Sequence, residues 1–408
     1  MDVVKIILVL VLLIIMLRRH IHMAAVMGSG TILLSLLFGM SMHETFTVFL
    51  ITVSHPSTLH TALALLLIMV LENLMRQKKL LEKLVVSLKI LFKDYRVVMP
   101  LPPAFMGLLP SAGGALFSAP MVSSACGDHP LSAERKGVIN FWYRHVWECV
   151  LPLYPAMIIA SEIMGVEMAR FIRNTYPFTL LAILLGIPYL VYQMKNCEDI
   201  PASTTAFTVV APEASTSLWG DLMRGILPIV VVLLLFFAAH LPLAAALTLV
   251  ILPMTLLLKV LPSEWVKLLK ESVSIKILLI LFGIMVFKNM LEATGAVDSL
   301  VTIFTAQGIP VTVLTILIPF LVAFLTGMSQ AYVAITFPIL LGMTPEVDLP
   351  LMALAYVSGF AGLMLSPMHL CLVLTAEFYQ ARIGKMMIMM LPPLTIMVGM
   401  GWLLSWIR

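Results

Sequence analysis

The sequence predicts an all-α polytopic membrane protein built from two inverted repeats, and three observations carry that prediction. Of 408 residues, 61% are hydrophobic and 11% charged, with a mean hydropathy of +1.07; an average soluble domain has about 25% charged residues. The apolar residues gather into runs, and Lys and Arg sit between the runs, as orientation signals do. The second half also repeats the plan of the first. A shift of 218 residues sets SAGGALFSAP, from Ser111, on SQAYVAITFP, from Ser329, and a shift of 220 sets DHPLSA, from Asp128, on DLPLMA, from Asp348.

In chain order, a first repeat covers residues 1–194, and its scaffold helices lie within 1–76, at 3–17, 24–40 and 58–76. The run at 3–17 is read as a span rather than a cleaved leader, because Arg18-Arg19 follows it in place of a small-residue cleavage site. A basic segment at 78–94 is expected to be an interfacial helix. The uncharged stretch from Val97 to Met121 then breaks at Pro110-Ser111-Ala112-Gly113-Gly114. Each arm is about a dozen residues, whereas crossing the hydrocarbon takes about 20, so 97–125 is expected to be a re-entrant hairpin. Basic residues on both flanks, Lys93 and Arg96 before and Arg135 and Lys136 after, place both its ends on one side. A long crossing at 137–165 is interrupted at Pro152 and Pro155, and 175–194 returns.

A polar segment at 195–217 reads as a cytoplasmic linker. The second repeat, 218–408, has scaffold helices within 219–293, an amphipathic piece near 297–308, a hairpin at 311–343, a helix at 350–380 broken at Ser366-Pro367, and a last helix at 386–406. Counting each hairpin as no crossing gives five crossings per repeat. Five is odd, so the second repeat is inverted. With both termini outside, the basic clusters fall inside, and the second hairpin, flanked by Asp298, Glu346 and Asp348, opens to the outer face of the cell membrane. Inverted repeats with discontinuous helices are the plan of alternating-access transport.

The residues expected to carry function lie at the breaks. Asn140, Arg144 and Glu148 fall at i, i+4 and i+8 of the crossing that follows the first hairpin, with His145 beside them. Ionisable residues at membrane depth are costly and default to a functional role. Arg144 keeps its charge and presents a planar fork suited to carboxylate or phosphate, so it is assigned to an anionic substrate. The first hairpin tip, Ser111, Ala112, Gly113 and Gly114, and Ser329, Gln330 and Ser366 complete the expected substrate site, through free N–H groups and hydroxyls. Ser111, Thr326 and Ser329 could hold a hard cation such as sodium, and His145 and Glu148 could exchange protons. The alternative bland role is an Arg144–Glu148 pair at i, i+4 that neutralises itself. Lys288 and Glu292 are simplest as an exposed pair.

No metal site is expected, since His145 and Glu148 at i, i+3 offer two ligands and no further histidine offers a helical partner. The thirty Met are read as packing, and the four Cys show no paired spacing. There is no nucleic-acid footprint and no GxxxxGK[ST] loop for ATP-driven transport.

GLLPSAGGALFSAP followed by INFWYRHVWE, with LTGMSQAYVAITFP and GFAGLMLSPMHLCLVLT in the second half, resembles the prokaryotic membrane family known as domain of unknown function 401. The resemblance covers nearly the whole chain. It implies a place in the ion transporter superfamily, beside divalent-anion/sodium symporters, carboxylate carriers, arsenite permeases and sodium/proton antiporters. It further implies a homodimeric elevator whose hairpins and broken helices move together. The Ser-Asn-Thr hairpin signature of the dicarboxylate branch is absent, since Ala112 and Gly113 follow Ser111. The expected function is secondary transport of a small anion across the bilayer, coupled to sodium or protons and needing no other cofactor. A cation/proton antiporter is the alternative, and a gated channel or an intramembrane enzyme would be of another class. The enzyme lacks a nucleophile with a positioned base.

Overall fold

The computed structural model describes residues 2–19, 21–80, 83–84, 87, 94–108, 114–126, 131–191, 218–296, 309–344 and 346–406. Among these there are nineteen helices and no strand. The first four are α1 (Asp2–Arg18), α2 (Met23–Leu37), α3 (Met42–Ser54) and α4 (Pro56–Gln77). The spans read from the sequence at 24–40 and 58–76 leave the segment between them unassigned, and in the structure it carries α3, a helix of 13 residues. Its start is set by a capping box: Ser41 Oγ accepts from Glu44 N at 3.2 Å, and Glu44 Oε2 accepts from Ser41 N at 2.7 Å. Pro56 then opens α4, where a missing N–H costs nothing.

The hairpin region holds a short α5 (Tyr95–Val98), α6 (Leu101–Gly107) and α7 (Gly114–Cys126). Next come the interrupted crossing, α8 (Ala133–His145) and α9 (Pro155–Met164), and the return α10 (Met168–Val191). The second half holds α11 (Leu218–Phe237), α12 (Leu243–Leu257), α13 (Pro262–Ser272) and α14 (Ile275–Ala293). It continues with α15 (Val311–Thr326), α16 (Ser329–Gly342), α17 (Leu349–Met364), α18 (Leu370–Tyr379) and α19 (Ile383–Leu404). α13 lies within the 219–293 stretch of scaffold helices, and Pro262 at its first turn and Glu264 Oε2 accepting from Leu261 N at 3.2 Å fix its start. Most of the expected interfacial helix at 78–94, the amphipathic piece near 297–308 and the linker at 195–217 lie outside the described residues.

Four helical stretches are long and apolar enough to cross a membrane, namely Pro56–Gln77, Met168–Val191, Trp219–Phe237 and Ile383–Leu404. With α13 and α14, which meet at a 44° bend, they make up to five such candidates, and the other apolar helices are shorter. Large apolar side chains stand outward on them, among them Leu180, Leu184, Leu227, Leu234, Ile388 and Leu391. Such a surface suits lipid rather than water, and the protein is a multi-pass membrane protein.

The core sits around α16 and α17. Every residue of α17 from Leu349 to Met364 except Pro350 is buried, as is α16 from Ala331 to Leu340, so these helices are apolar all round because neighbours surround them. Tyr332, Tyr356 and Phe171 interlock edge to face, with ring centroids 5.9 Å and 5.6 Å apart.

Helix pairs recur between the halves. α1 packs on α2 as α11 packs on α12, and α2 packs on α14 as α12 packs on α4. The arms α6 and α7 pack on each other, as do α15 and α16; α6 lies on α8 and α15 on α17. The pairings that cross from one half to the other also include α7 on α18 and α9 on α16.

Candidate functional site

Both helix breaks, between α8 and α9 and between α17 and α18, fall where a side chain or a neighbouring arm takes over from the helix. α8 ends at His145, and Pro152 and Pro155 prevent α9 from starting until Pro155, where proline is tolerated as the first residue. The intervening turn is tied down at three points. Trp147 Nε1 donates to Ala104 O at 2.8 Å, Tyr154 OH to Gly107 O at 2.6 Å, and Tyr356 OH to Glu148 O at 3.1 Å. Backbone groups freed by a break at membrane depth need such partners. Gly107 allows the arm to come this close, since a Cβ there would fall inside the Arg144 carbonyl.

The second break is built likewise. α17 ends at Met364, Ser366 Oγ donates to Phe324 O at 2.6 Å, and Met368 N donates to Ser366 Oγ at 3.2 Å. α15 ends at Thr326 and is capped by Gly327, whose φ of +67° is the left-handed conformation that suits glycine, and α16 starts two residues after that glycine. The α16 N-terminus has no side-chain cap.

Between these two breaks and α4 lies a cavity of about 460 Å³. Arg144, His145 and Glu148 face it from the first break, Ser329 and Gln330 from the start of α16, and His369 and Cys371 from the second break. On the α4 side stand Glu72, Asn73 and Arg76, with Glu271 and Ser272 of α13. Asn73 bridges the two helices, donating to Ser272 Oγ at 3.1 Å while its Oδ1 accepts from Arg76 Nη2 at 3.1 Å. The wall therefore carries two guanidiniums, Arg76 and Arg144, and three carboxylates, Glu72, Glu148 and Glu271, among the described residues.

Arg144, His145 and Glu148 are all about one-twentieth exposed (5%, 4% and 5%). The expectation that Asn140, Arg144 and Glu148 share one continuous helix face is corrected. α8 stops at His145, and Glu148 sits in the turn, its N–H donating to His145 O at 3.1 Å. Glu148 Oε1 lies 3.9 Å from His145 Nε2, and its Oε2 has no hydrogen-bond partner. His145 Nε2 is also 3.2 Å from His369 Nε2.

Five expected residues thus meet at the cavity: Arg144, His145, Glu148, Ser329 and Gln330. Three do not. Asn140 donates to Ala115 O at 3.2 Å and Thr375 Oγ1 at 3.3 Å, joining α7, α8 and α18. Ser366 closes the second break, and Thr326 Oγ1 returns to Val322 O at 2.7 Å, the usual use of a helical hydroxyl. The tip residues Ser111, Ala112 and Gly113 lie outside the described residues, and Gly114 opens α7. Sequence reasoning missed Glu72, Arg76, His369 and Cys371. The first two lie at the end of a scaffold span, and the last two follow Ser366-Pro367, where a break was already expected.

The model of one family, described as protein of unknown function (DUF401), matches residues 2–407. No curated protein matches the chain. Among solved structures, the YdaH transporter of Alcanivorax borkumensis is similar, with a TM-score of 0.60 and 15% identity over 90% of this chain and 88% of that one. At that identity the likeness is one of fold.

Proposed function

Because the chain belongs to the DUF401 family and shares its fold with a transporter, we propose that it is a secondary active transporter of a small anion, an organic carboxylate or an oxyanion. One observation carries the reading: Arg144 and the uncapped N-terminus of α16 face the same cavity. A guanidinium supplies a fixed charge and a bidentate fork, and the first turn of a helix supplies free N–H groups and the positive end of its dipole. Ser329 and Gln330, at that first turn, add neutral donors. Glu148 and His145, next to Arg144, are the groups assigned to a coupled proton, with sodium the other coupling ion to test.

The reading includes alternating access by two inverted repeats. It is supported by the recurrence of helix pairs between halves and by the crossed pairings α7 on α18 and α9 on α16, which make the hairpins and broken helices one unit. In this scheme that unit moves against the scaffold helices, in a homodimer with both termini outside. A thermal-shift screen of carboxylates and oxyanions, with and without sodium, tests the ligand class. A ligand at about 100 times its Kd stabilises by about 2.7 kcal/mol. If no anion stabilises the protein while sodium or low pH does, the anion reading fails. The three carboxylates on the wall favour a second reading, a cation/proton antiporter, in which proton-gradient-driven cation flux needs no anion.

A further inference from the structure

His145, His369 and Cys371 each offer one ligand atom, and these atoms lie within 4.8 Å of one another. His145 ends α8, whereas His369 and Cys371 stand at the start of α18, so the group joins the two halves of the chain. Hydrogen bonds fix both rings. His145 Nδ1 is 2.6 Å from Phe141 O, and His369 Nδ1 is 2.9 Å from Gly327 O. A carbonyl oxygen only accepts, so each Nδ1 carries the ring proton and each neutral ring is left with a lone pair on Nε2.

Those two Nε2 atoms nevertheless face each other at 3.2 Å. Two lone pairs so placed repel unless a cation lies between them. The spacing is that of a coordination shell, since two imidazole nitrogens bound at about 2.0–2.1 Å in a tetrahedron stand about 3.3 Å apart. Glu148 brings a carboxylate beside the first of these rings, with Oε1 3.9 Å from His145 Nε2 and Oε2 without a hydrogen-bond partner, in a residue 5% exposed.

We propose that His145 Nε2, His369 Nε2 and the Cys371 thiolate, with the Glu148 carboxylate as fourth ligand, bind one divalent d-block cation of the zinc class. Two imidazoles, a thiolate and a carboxylate form a borderline donor set that suits zinc or cobalt, whereas calcium and magnesium take oxygen ligands. The Phe141 and Gly327 carbonyls play the part that outer carbonyls play at metal-bound histidines, holding the tautomer that exposes Nε2. Binding releases the thiol proton of Cys371, and a dication facing thiolate and carboxylate leaves the group neutral. This proposal does not rest on the transport reading, and with the cation bound His145 and Glu148 would hold it in place of the coupled proton assigned to them there.

The test uses the purified full chain, stripped with a chelator, dialysed without any anionic substrate and titrated with Co²⁺. The expected result is one Co²⁺ per chain, with the visible bands of a tetrahedral ion and a near-ultraviolet thiolate-to-cobalt charge-transfer band. Cys371→Ser, close in size, should keep cobalt bound and lose the charge-transfer band. His369→Ala should weaken binding by about a hundredfold or more, beyond the loss seen when only an outer partner is removed. Thermal unfolding in chelator shows that each variant is folded. Wild-type protein that takes up no stoichiometric Co²⁺ would overturn the proposal and leave a shared proton as what joins the rings. A charge-transfer band unchanged in folded Cys371→Ser would overturn it as well.

Discussion

At the scale of single residues, Arg144 separates the functional account from a structural one. A hydrogen bond to a charged group contributes about 1.5–3 kcal/mol, so Arg144→Gln is expected to weaken anion binding by roughly ten- to a hundredfold or more. Arg144→Lys should restore part of the loss, since an ammonium keeps the charge without the planar fork. Isothermal titration of whichever anion the screen identifies measures both. Gly107 gives a second expectation at this scale. Its missing Cβ would fall inside the Arg144 carbonyl, and the two nearest atoms are backbone, which cannot swing aside as the end of a side chain can. Gly107→Ala should therefore lower stability by about 1–3 kcal/mol through overpacking, read as a drop in thermal unfolding temperature. An unchanged unfolding temperature would mean that α6 does not dock on α8 as described. Arg144 was legible because an arginine inside an apolar crossing is rare and costly. His369 was not, since a histidine beside Ser366-Pro367 carries no signal of its own until folding brings His145 to it from 224 residues away.

At the scale of elements, the breaks were legible and two helices were not. Pro152 and Pro155 fall in the turn between α8 and α9 and at the first residue of α9, and Ser366-Pro367 follow the end of α17. α3 escaped notice because it is short, lies largely exposed and is separated from α4 only by His55. Its signal was nonetheless present, in Ser41 and Glu44 at capping-box spacing and Pro56 at a first helical position. Ser41→Ala removes the cap acceptor and should cost about 1 kcal/mol. Hydrogen exchange confined to the first turn of α3 measures it, and protection unchanged by the substitution would count against the capping box.

At the scale of the whole molecule, the sequence carried the all-helical, apolar character of the chain but not the walls of the cavity. Runs of apolar residues and the repeat offsets survive in the primary structure. The meeting of α4 and α13 with two helix breaks does not, because Glu72, Arg76 and Glu271 come from elements whose own patterns mark only spans and connections. The proposed inverted arrangement makes its own forecast. Single cysteines at positions 94 and 128 should label from the cytoplasm, and those at 308 and 346 from outside. Labelling of 94 and 128 from opposite faces would make the first hairpin a full crossing and remove the inversion.

The central claim, that Arg144 holds an anionic substrate rather than serving Glu148, is tested most directly by gradient-driven uptake of the identified anion into liposomes containing wild type, Arg144→Gln, or Arg144→Gln with Glu148→Gln. If Arg144 only balanced Glu148, the single variant would leave a buried carboxylate without its counter-charge, and removing both charges would repair it. The account predicts that uptake at low anion concentration stays lost in the double variant, whose fold is intact by thermal unfolding. Wild-type uptake in that double variant would contradict it.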